Sequence, residues 1–252
     1  MTVALVAARI EMRRLSRSGL LIGLVLVFAF FGLSGPVLAA HLPDMLRAAA
    51  GTEQLTISAT RATPEDGIAL FTQSAMQLGL VFAVATAVTA LGWDARPGSS
   101  IFYRTRVRSL AAFALPRLAV VCLSVSASYL IGLLLAAVTT AATIGPLALG
   151  AVVRVGFASC LYLVMAMSVG HLVMTCSRRT ASALAMSTVV MLVLPLLNSV
   201  GAAGWAPTAL LTAARSDAGS IVIPAIIAAL TTVVCVVVAN EVCRRQGLRR
   251  DA

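Results

Sequence analysis

The side chains that could do covalent chemistry are few, and the first candidate is the serine of Gly32-Leu33-Ser34-Gly35. A G-x-S-G serine with His171 as its base would suit a protease that works inside a membrane. Nucleophile and base must come within roughly 3 Å of each other. On helices that span a membrane, Ser34 would lie about 22 Å and His171 about 8 Å from the same membrane face. The pair would not meet, so we interpret Gly32 and Gly35 as small residues at a helix contact.

The cysteines and histidines do not follow the spacing of a metal site or a disulfide framework. All five cysteines lie in or beside apolar runs, and no C-x-x-C pair occurs. They are Cys122, Cys160, Cys176, Cys235 and Cys243. We interpret them as small buried hydrophobic residues. We interpret His171 as a packing residue, with a proton relay as its alternative. The sequence therefore predicts no catalytic residue and no metal ion in this chain.

Three amide side chains interrupt otherwise apolar segments. Gln73 and Gln77 lie one helical turn apart, and Asn198 follows Pro195 by three residues. A polar side chain inside a membrane needs a partner, so each amide faces either another helix or a watery path. Two interpretations stay open, a hydrogen bond between helices and the lining of a substrate route. Gln73, Gln77 and Asn198 are therefore candidate substrate-path residues.

The composition indicates which elements must position these side chains. Of 252 residues, 60% are hydrophobic and 11% are charged, with a mean hydropathy of +0.99. Soluble domains carry about 25% charged residues, so an ordinary soluble enzyme is excluded. We predict an all-α, polytopic membrane protein with one transmembrane domain over residues 1–252. Six segments reach the roughly 20 apolar residues that a membrane-spanning helix needs: Gly19–Ala40, Ile68–Gly92, Leu118–Ala142, Ala151–Thr175, Ala181–Gly204 and Ser220–Asn240.

The basic residues predict the orientation of these six spans. The chain has no lysine, and all nineteen basic residues are arginine. With both termini in the cytoplasm, fifteen arginines fall on the inner side, and only Arg47, Arg61, Arg154 and Arg215 fall outside. Such an excess marks cytoplasmic segments. We predict a multi-pass protein of the plasma (inner) membrane with both termini cytoplasmic. The net charge of +10 then reports orientation and not nucleic-acid binding.

Residues 1–18 predict an amphipathic helix that lies in the inner headgroup plane. Apolar residues recur at helical spacing, and arginines form a separate stripe. The apolar set is Leu5, Ala8, Met12 and Leu15, and the stripe is Arg9, Arg13 and Arg17. One alternative is a charged flank that only sets orientation. Another is a cleaved signal peptide ending near Ala40, although an apolar run of 22 residues, Gly19–Ala40, is long for a signal core.

Residues 93–117 form the inner loop between the second and third spans. Pro97-Gly98 ends the helix of the second span, and a serine can cap a short new helix after it. That helix carries an apolar patch among four arginines. The patch residues are Ile101, Phe102 and Tyr103. Such a patch is either an anchor in the membrane surface or a docking site for another protein.

Two further connections are predicted to lie outside, and residues 241–252 to form a cytoplasmic tail. The outer loop 41–67 ends in Thr63-Pro64-Glu65-Asp66, which predicts a helix with Thr63 as N-cap and Pro64 at its first position. Within that loop, Gln54–Thr60 shows a weak strand pattern. The connection Asn198–Gly219 predicts a short helix with Trp205 at headgroup depth.

Taken in order along the chain, these features resemble the membrane subunits of ABC type-2 exporters. That family has an R-x-E-x-R-R amphipathic helix, six spans, and an acidic residue four positions before a glycine in the loop after the second span. The matching residues are Arg9, Glu11, Arg13 and Arg14, followed by Arg17, and then Asp94 and Gly98. Ile101–Tyr103 fall on the family's coupling helix, and Pro207–Ala214 on its short helix before the last span. This chain has Arg96 where the family often has a second acidic residue.

The resemblance implies an ATP-driven exporter and its partners. Two permease subunits, identical or homologous, would sit on two cytosolic ABC ATPases, whose closure would act through Ile101–Tyr103 and the amphipathic helix. ATP and Mg would be bound by the ATPase, because a chain without lysine has no G-x-x-x-x-G-K-[ST] loop. The chain itself would hold no cofactor and be no enzyme. Its other partners would be membrane lipids, with no nucleic acid.

The substrate class and one competing function stay open. An apolar path with a few amides suits a drug, a lipid or a peptide equally well. The alternative to an exporter subunit is an ATP-independent membrane carrier or a membrane scaffold protein. A carrier would normally place acidic residues at mid-membrane. No aspartate or glutamate lies in the middle of the predicted spans.

Overall fold

A computed structural model describes residues 3–49, 62–92, 110–195, 205–216 and 218–248, and every regular element in those ranges is helical. Eight α-helices are described, together with a π-helical turn between α3 and α4 and a 3-10 helix before α8. The α-helices are α1 Val3–Arg17, α2 Leu20–Ala49, α3 Pro64–Ser74, α4 Leu80–Leu91, α5 Leu110–Thr143, α6 Leu149–Ser177, α7 Thr180–Val193 and α8 Ala218–Leu248. The π-helical turn is Ala75–Gly79, and the 3-10 helix is Pro207–Thr212.

The helices run back and forth between two ends of one bundle. The α1 end is marked by hydrogen bonds from Arg14 to Thr89, near the end of α4. The far end is marked by an ion pair between Asp66 of α3 and Arg215, which follows the 3-10 helix. Helices α2, α5 and α7 run from the α1 end to the far end, whereas α3–α4, α6 and α8 return. The two ends of the bundle are therefore marked by different polar contacts, Arg14 with Thr89 at the α1 end and Asp66 with Arg215 at the far end.

Five helical segments are long and apolar enough to cross a membrane. They are Leu20–Met45, Pro64–Leu91, Phe113–Thr143, Leu149–Ser177 and Gly219–Arg245. By the length and composition of these helices, the chain is a multi-pass helical membrane protein. The predicted span Ala181–Gly204 is not confirmed, because α7 has 14 residues and ends at Val193. Residues 196–204 lie outside the described part.

Several helices extend beyond their predicted ends, which corrects the loop boundaries. Helix α2 continues to Ala49, into the predicted loop 41–67, and α5 begins at Leu110, inside the predicted loop 93–117. Helix α8 continues to Leu248, so the predicted tail 241–252 begins as helix. Hydropathy marks only the apolar part of a helix, whereas backbone hydrogen bonds continue through polar residues beyond it. Gln54–Thr60 lie outside the described residues.

The predicted start of α3 is confirmed in detail. The helix begins at Pro64, and the backbone N–H and the hydroxyl of Thr63 both donate to Oδ2 of Asp66, at 3.0 and 2.8 Å. This arrangement fixes the Asp66 carboxylate at the far end of the bundle. The short helix predicted before the last span is also present, as the 3-10 helix Pro207–Thr212.

Glycines allow α2 to touch two other helices at the backbone. A Cβ on Gly32 would meet the carbonyl oxygen of Gly132 in α5, and a Cβ on Gly132 would meet the backbone of Phe28. A Cβ on Gly35 would lie 2.9 Å from both the Cα and the N of Phe71 in α3. The interpretation of Gly32 and Gly35 as helix-contact residues is confirmed, and small residues are what such close contacts need.

Aromatic rings fill the core beside these glycine contacts. The ring of Tyr129 on α5 lies edge-on to Phe28, with centroids 5.6 Å apart, and 5.4 Å from the ring of Phe71. All three residues are completely buried. One part of the buried core therefore lies where α2, α3 and α5 meet, and the two candidate sites lie toward the ends of the bundle.

Candidate functional site

A buried ion pair at the α1 end joins two helices that are far apart in sequence. Glu11 of α1 is fully buried and Arg117 of α5 is 5% exposed. Arg117 Nη2 lies 2.6 Å from Glu11 Oε2, and its Nε donates to the same oxygen at 2.8 Å. The guanidinium also lies over the ring of Phe113, 5.2 Å from the centroid. These contacts compensate for the cost of removing two charges from water.

Arg14 extends this cluster to a third helix. Its Nη1 donates to Glu11 Oε1 at 3.0 Å and to the carbonyl oxygen of Thr89 at 3.0 Å. Its Nη2 donates to the Thr89 hydroxyl at 3.0 Å. The hydroxyl in turn donates to the carbonyl of Thr86. We call Glu11, Arg14, Thr89 and Arg117 the hub. The hub connects α1 to the last turn of α4 and to the first turns of α5.

Helix α1 packs one face against the bundle and leaves part of the predicted apolar set outside it. Ala7, Glu11 and Leu15 are buried, whereas Leu5 and Met12 are exposed. The arginine stripe at positions 9, 13 and 17 is exposed, as expected for a charged face. The burial of a carboxylate depends on Arg117, which stands 106 residues away and is not visible in the local pattern. The apolar residues left outside remain available to lipid.

A cavity lies at the far end of the bundle, between α3, α4, α6, α7 and the 3-10 helix. Its volume is about 380 Å³, within the range of roughly 300–1,000 Å³ of small-molecule sites. Apolar lining residues include Met76, Leu80, Met191, Leu192 and Leu211, and the lining residues with polar groups are Gln73, Gln77, Tyr162, Thr212 and Arg215. Among the described lining residues there is no carboxylate. The cavity is therefore amphipathic, and the one charged side chain among its described lining residues is that of Arg215.

The π-helical turn forms one wall of this cavity. Met76 and Gln77 both belong to the turn and both line the cavity. A π turn shifts the side chains that follow out of α-helical register, and such turns are frequent at functional sites. Gly79 ends the turn where a Cβ would collide with the ring of Phe28. The same π-helical turn therefore contacts the core residue Phe28 through Gly79 and lines the cavity through Met76 and Gln77.

One arginine, Arg215, lines the mouth of the cavity. Arg215 Nη2 donates to Asp66 Oδ1 at 2.6 Å, and both side chains are partly exposed. Nearby, Arg154 Nε donates to the carbonyl oxygen of Ala213 at 3.2 Å. These polar contacts connect the segment after the 3-10 helix to α3 and to α6 at the far end.

Protein-family models, curated proteins and solved structures contain no match to this chain. The candidate sites therefore stand on their geometry alone.

The structure places only part of the predicted site residues. Gln73 and Gln77 line the far-end cavity, whereas Asn198 lies outside the described residues, as do all five predicted coupling residues. Those are Asp94, Gly98, Ile101, Phe102 and Tyr103. The two helices that flank this loop are described: α4 ends at Leu91 and α5 begins at Leu110. Each of them contributes a residue to the hub, Thr89 from α4 and Arg117 from α5.

Three residues of these sites were not singled out from the sequence. Arg117 and Arg215 were counted only for orientation, and Thr89 not at all. An arginine after a proline at the start of an apolar run is a weak signal, since it equally marks a membrane boundary.

His171 is buried, and no three His, Cys, Asp or Glu side chains gather as a metal site in the described ranges.

Proposed function

We propose that this chain is the membrane-spanning permease subunit of an ATP-driven ABC exporter. It moves a hydrophobic or amphipathic substrate outward across the plasma membrane, and a separate cytosolic ATPase subunit binds ATP and Mg. The observation that carries the proposal is the hub, because it joins the N-terminal helix to both helices that flank the inner loop. The order of motifs along the chain supports the same function.

The hub supplies a mechanical route from an ATPase to the spans. In the proposed assembly the ATPase binds the patch Ile101–Tyr103, which follows Asp94 and Gly98 in the sequence. A force on that loop reaches the end of α4 and the start of α5, and Arg14 and Arg117 transmit it to Glu11 on α1. Buried, hydrogen-bonded charge pairs resist separation. Helices α1, α4 and α5 therefore move as one unit.

Orientation and partners follow from the same proposal. The α1 end, with the hub and the arginine-rich segments, faces the cytoplasm, and the cavity faces outward. Helix α1, including Arg9, Arg13 and Arg17, lies along the inner headgroups. A second permease copy or a homologous permease completes the membrane part, and the chain has no catalytic role of its own.

The orientation predicts which engineered cysteines react from outside. In a background without the five native cysteines, Glu65→Cys at the far end should react with an impermeant maleimide on intact cells. Ala181→Cys at the α1 end should react only after the membrane is opened. Both native residues are exposed in the structure. Labelling in the opposite order would contradict the proposed orientation.

The experiment that tests the proposed function is purification of the full chain from its native membrane in a gentle detergent, followed by mass spectrometry. A near-stoichiometric soluble subunit with a phosphate-binding loop is the expected result. If no ATPase accompanies the chain while the membrane subunits stay together, the proposal fails. An ATP-independent carrier or scaffold would then be the better explanation.

A substitution in the inner loop tests the coupling step separately. Phe102→Asp places a charge in the apolar patch, so transport should fall severalfold while ATP hydrolysis by the complex continues. Phe102→Leu keeps the patch apolar and should transport nearly normally. The measurement is substrate export and ATPase rate in the same vesicles. Unchanged transport by Phe102→Asp would show that the patch does not couple.

A further inference from the structure

We propose that the far-end cavity binds a single-chain amphipathic anion, with its acidic headgroup on Arg215 and its apolar tail among Met76, Leu80, Met191 and Leu192. As a statement about the exported substrate, this rests on the proposed function above. As a statement about binding, it rests only on the cavity.

The sign of the ligand charge follows from which polar groups are already engaged. Asp66 Oδ2 accepts two hydrogen bonds from Thr63, and Oδ1 accepts one from Arg215. Asp66 does not line the cavity, whereas Arg215 does. Arg215 uses one of its five N–H groups in this pair, and its side chain is 64% exposed. The spare bonding capacity at the mouth is therefore that of a cation.

The neighbouring polar groups can add hydrogen bonds to such an anion. Gln73 and Gln77 are exposed to the cavity, and each amide has an –NH₂ group that can donate to phosphate or carboxylate oxygens. Arginine and amide donors together suit an acceptor-rich anion. A cationic ligand would meet Arg215 without a carboxylate among the described lining residues, so its binding is disfavoured.

The rest of the cavity selects an apolar tail of limited size. Met76 and Met191 are flexible, polarizable side chains that adapt to irregular apolar ligands, and Leu80 and Leu192 complete this wall. The volume of about 380 Å³ is near the lower end of the range for ligand sites. It suits one short hydrocarbon chain better than the two long chains of a bilayer lipid.

The test uses the purified full-length chain in phosphatidylcholine nanodiscs and a photoreactive diazirine analogue of decyl phosphate. Mass spectrometry should locate the label on the cavity segments of α3–α4 and α7. Unlabelled decyl phosphate should compete, whereas decyltrimethylammonium and inorganic phosphate should not. Equal competition by the cation would overturn the anionic preference. Equal competition by phosphatidylglycerol in the disc would assign the cavity to a bilayer lipid and overturn the single-chain proposal.

Three substitutions separate ligand binding from structural effects. Arg215→Gln should lower labelling of the cavity by about tenfold or more, the effect expected for a lost charge-assisted hydrogen bond. Asp66→Asn breaks the same ion pair but keeps Arg215, so labelling should be retained or increased. Arg244→Gln removes a similarly exposed, ion-paired arginine at the α1 end and should have no effect. Equal losses in Arg215→Gln and Asp66→Asn would show a merely structural role and overturn the proposal.

The outcome is independent of the ATPase purification. If the cavity is labelled as expected but no ATPase accompanies the chain, the ligand class stands and the exporter function fails. If the ATPase is present but labelling does not depend on Arg215, the exporter function stands and the ligand class fails.

Discussion

Replacing Arg117 by methionine is expected to destabilise the protein by roughly 3 kcal/mol or more, the cost of breaking a buried ion pair by removing one partner. Glu11 would remain fully buried, with only Arg14 as a cationic partner. Glu11→Leu should cost a similar amount, because Arg117 would then be buried without a carboxylate. The measurement is the thermal midpoint of each detergent-solubilised variant beside the wild type, which should fall as stability is lost.

The double variant Glu11→Leu/Arg117→Met supplies the decisive comparison. Replacing both charges by apolar side chains removes the desolvation cost together with the attraction, so most of the lost stability should return. Glu241→Gln is a matched control, since Glu241 also contacts two arginines, Arg244 and Arg245, but lies at the surface. Its thermal midpoint should equal that of the wild type. Losses that simply add in the double variant would show that Glu11 and Arg117 are not energetically coupled.

Replacing Gly132 by leucine should have the largest effect on folding. A Cβ at this position would overlap the backbone and Cβ of Phe28, so no side-chain rotation relieves the collision and α2 and α5 must separate. Overpacking of a core by side chains alone already costs about 1–3 kcal/mol. We expect about tenfold less monodisperse protein by size-exclusion chromatography after extraction. Gly32→Leu should act in the same direction, because it lies on the other side of the same contact.

Gly23→Leu is the matched control for both variants. Gly23 belongs to the same helix α2, and apart from the adjoining helix backbone no heavy atom lies within 4 Å of where its Cβ would stand. Leucine also favours helix over glycine by nearly 1 kcal/mol. This variant should therefore elute like the wild type and unfold at the same temperature or slightly higher. Normal yield and stability of Gly132→Leu would show that α2 and α5 do not approach as described.

The two ends of the bundle show why some features were predictable and others were not. The start of α3 follows from four consecutive residues, Thr63 to Asp66, because a capping box is a local arrangement. The partner of Asp66 at the far end is Arg215, 149 residues later. Glu11 has a local partner in Arg14, but its distant partner is Arg117, 106 residues later. Nothing in the spacing along the chain specifies such pairs.

The long apolar helices were predictable because hydropathy over about 20 residues reports whether a helix can replace water by lipid. It reports less well where a helix ends, since backbone hydrogen bonding continues into polar sequence. Residues of α2 up to Ala49 and of α8 up to Leu248 were therefore assigned to loops or tails. The segment after Ala181 is apolar over the length of a span, yet the described helix α7 ends at Val193.

By itself, the sequence determined the helical, membrane-spanning character of the chain and the cap of α3, since each depends on composition or on neighbouring residues. It also indicated Gly32 and Gly35 as helix-contact residues, but only the tertiary structure decided that their contacts are Gly132 and Phe71. Only the tertiary structure decided that Glu11 is buried and that Gln73 and Gln77 share a cavity with Arg215. The physical reason is that a charge can be buried, and a cavity can be polar, only where residues distant in sequence supply the partners.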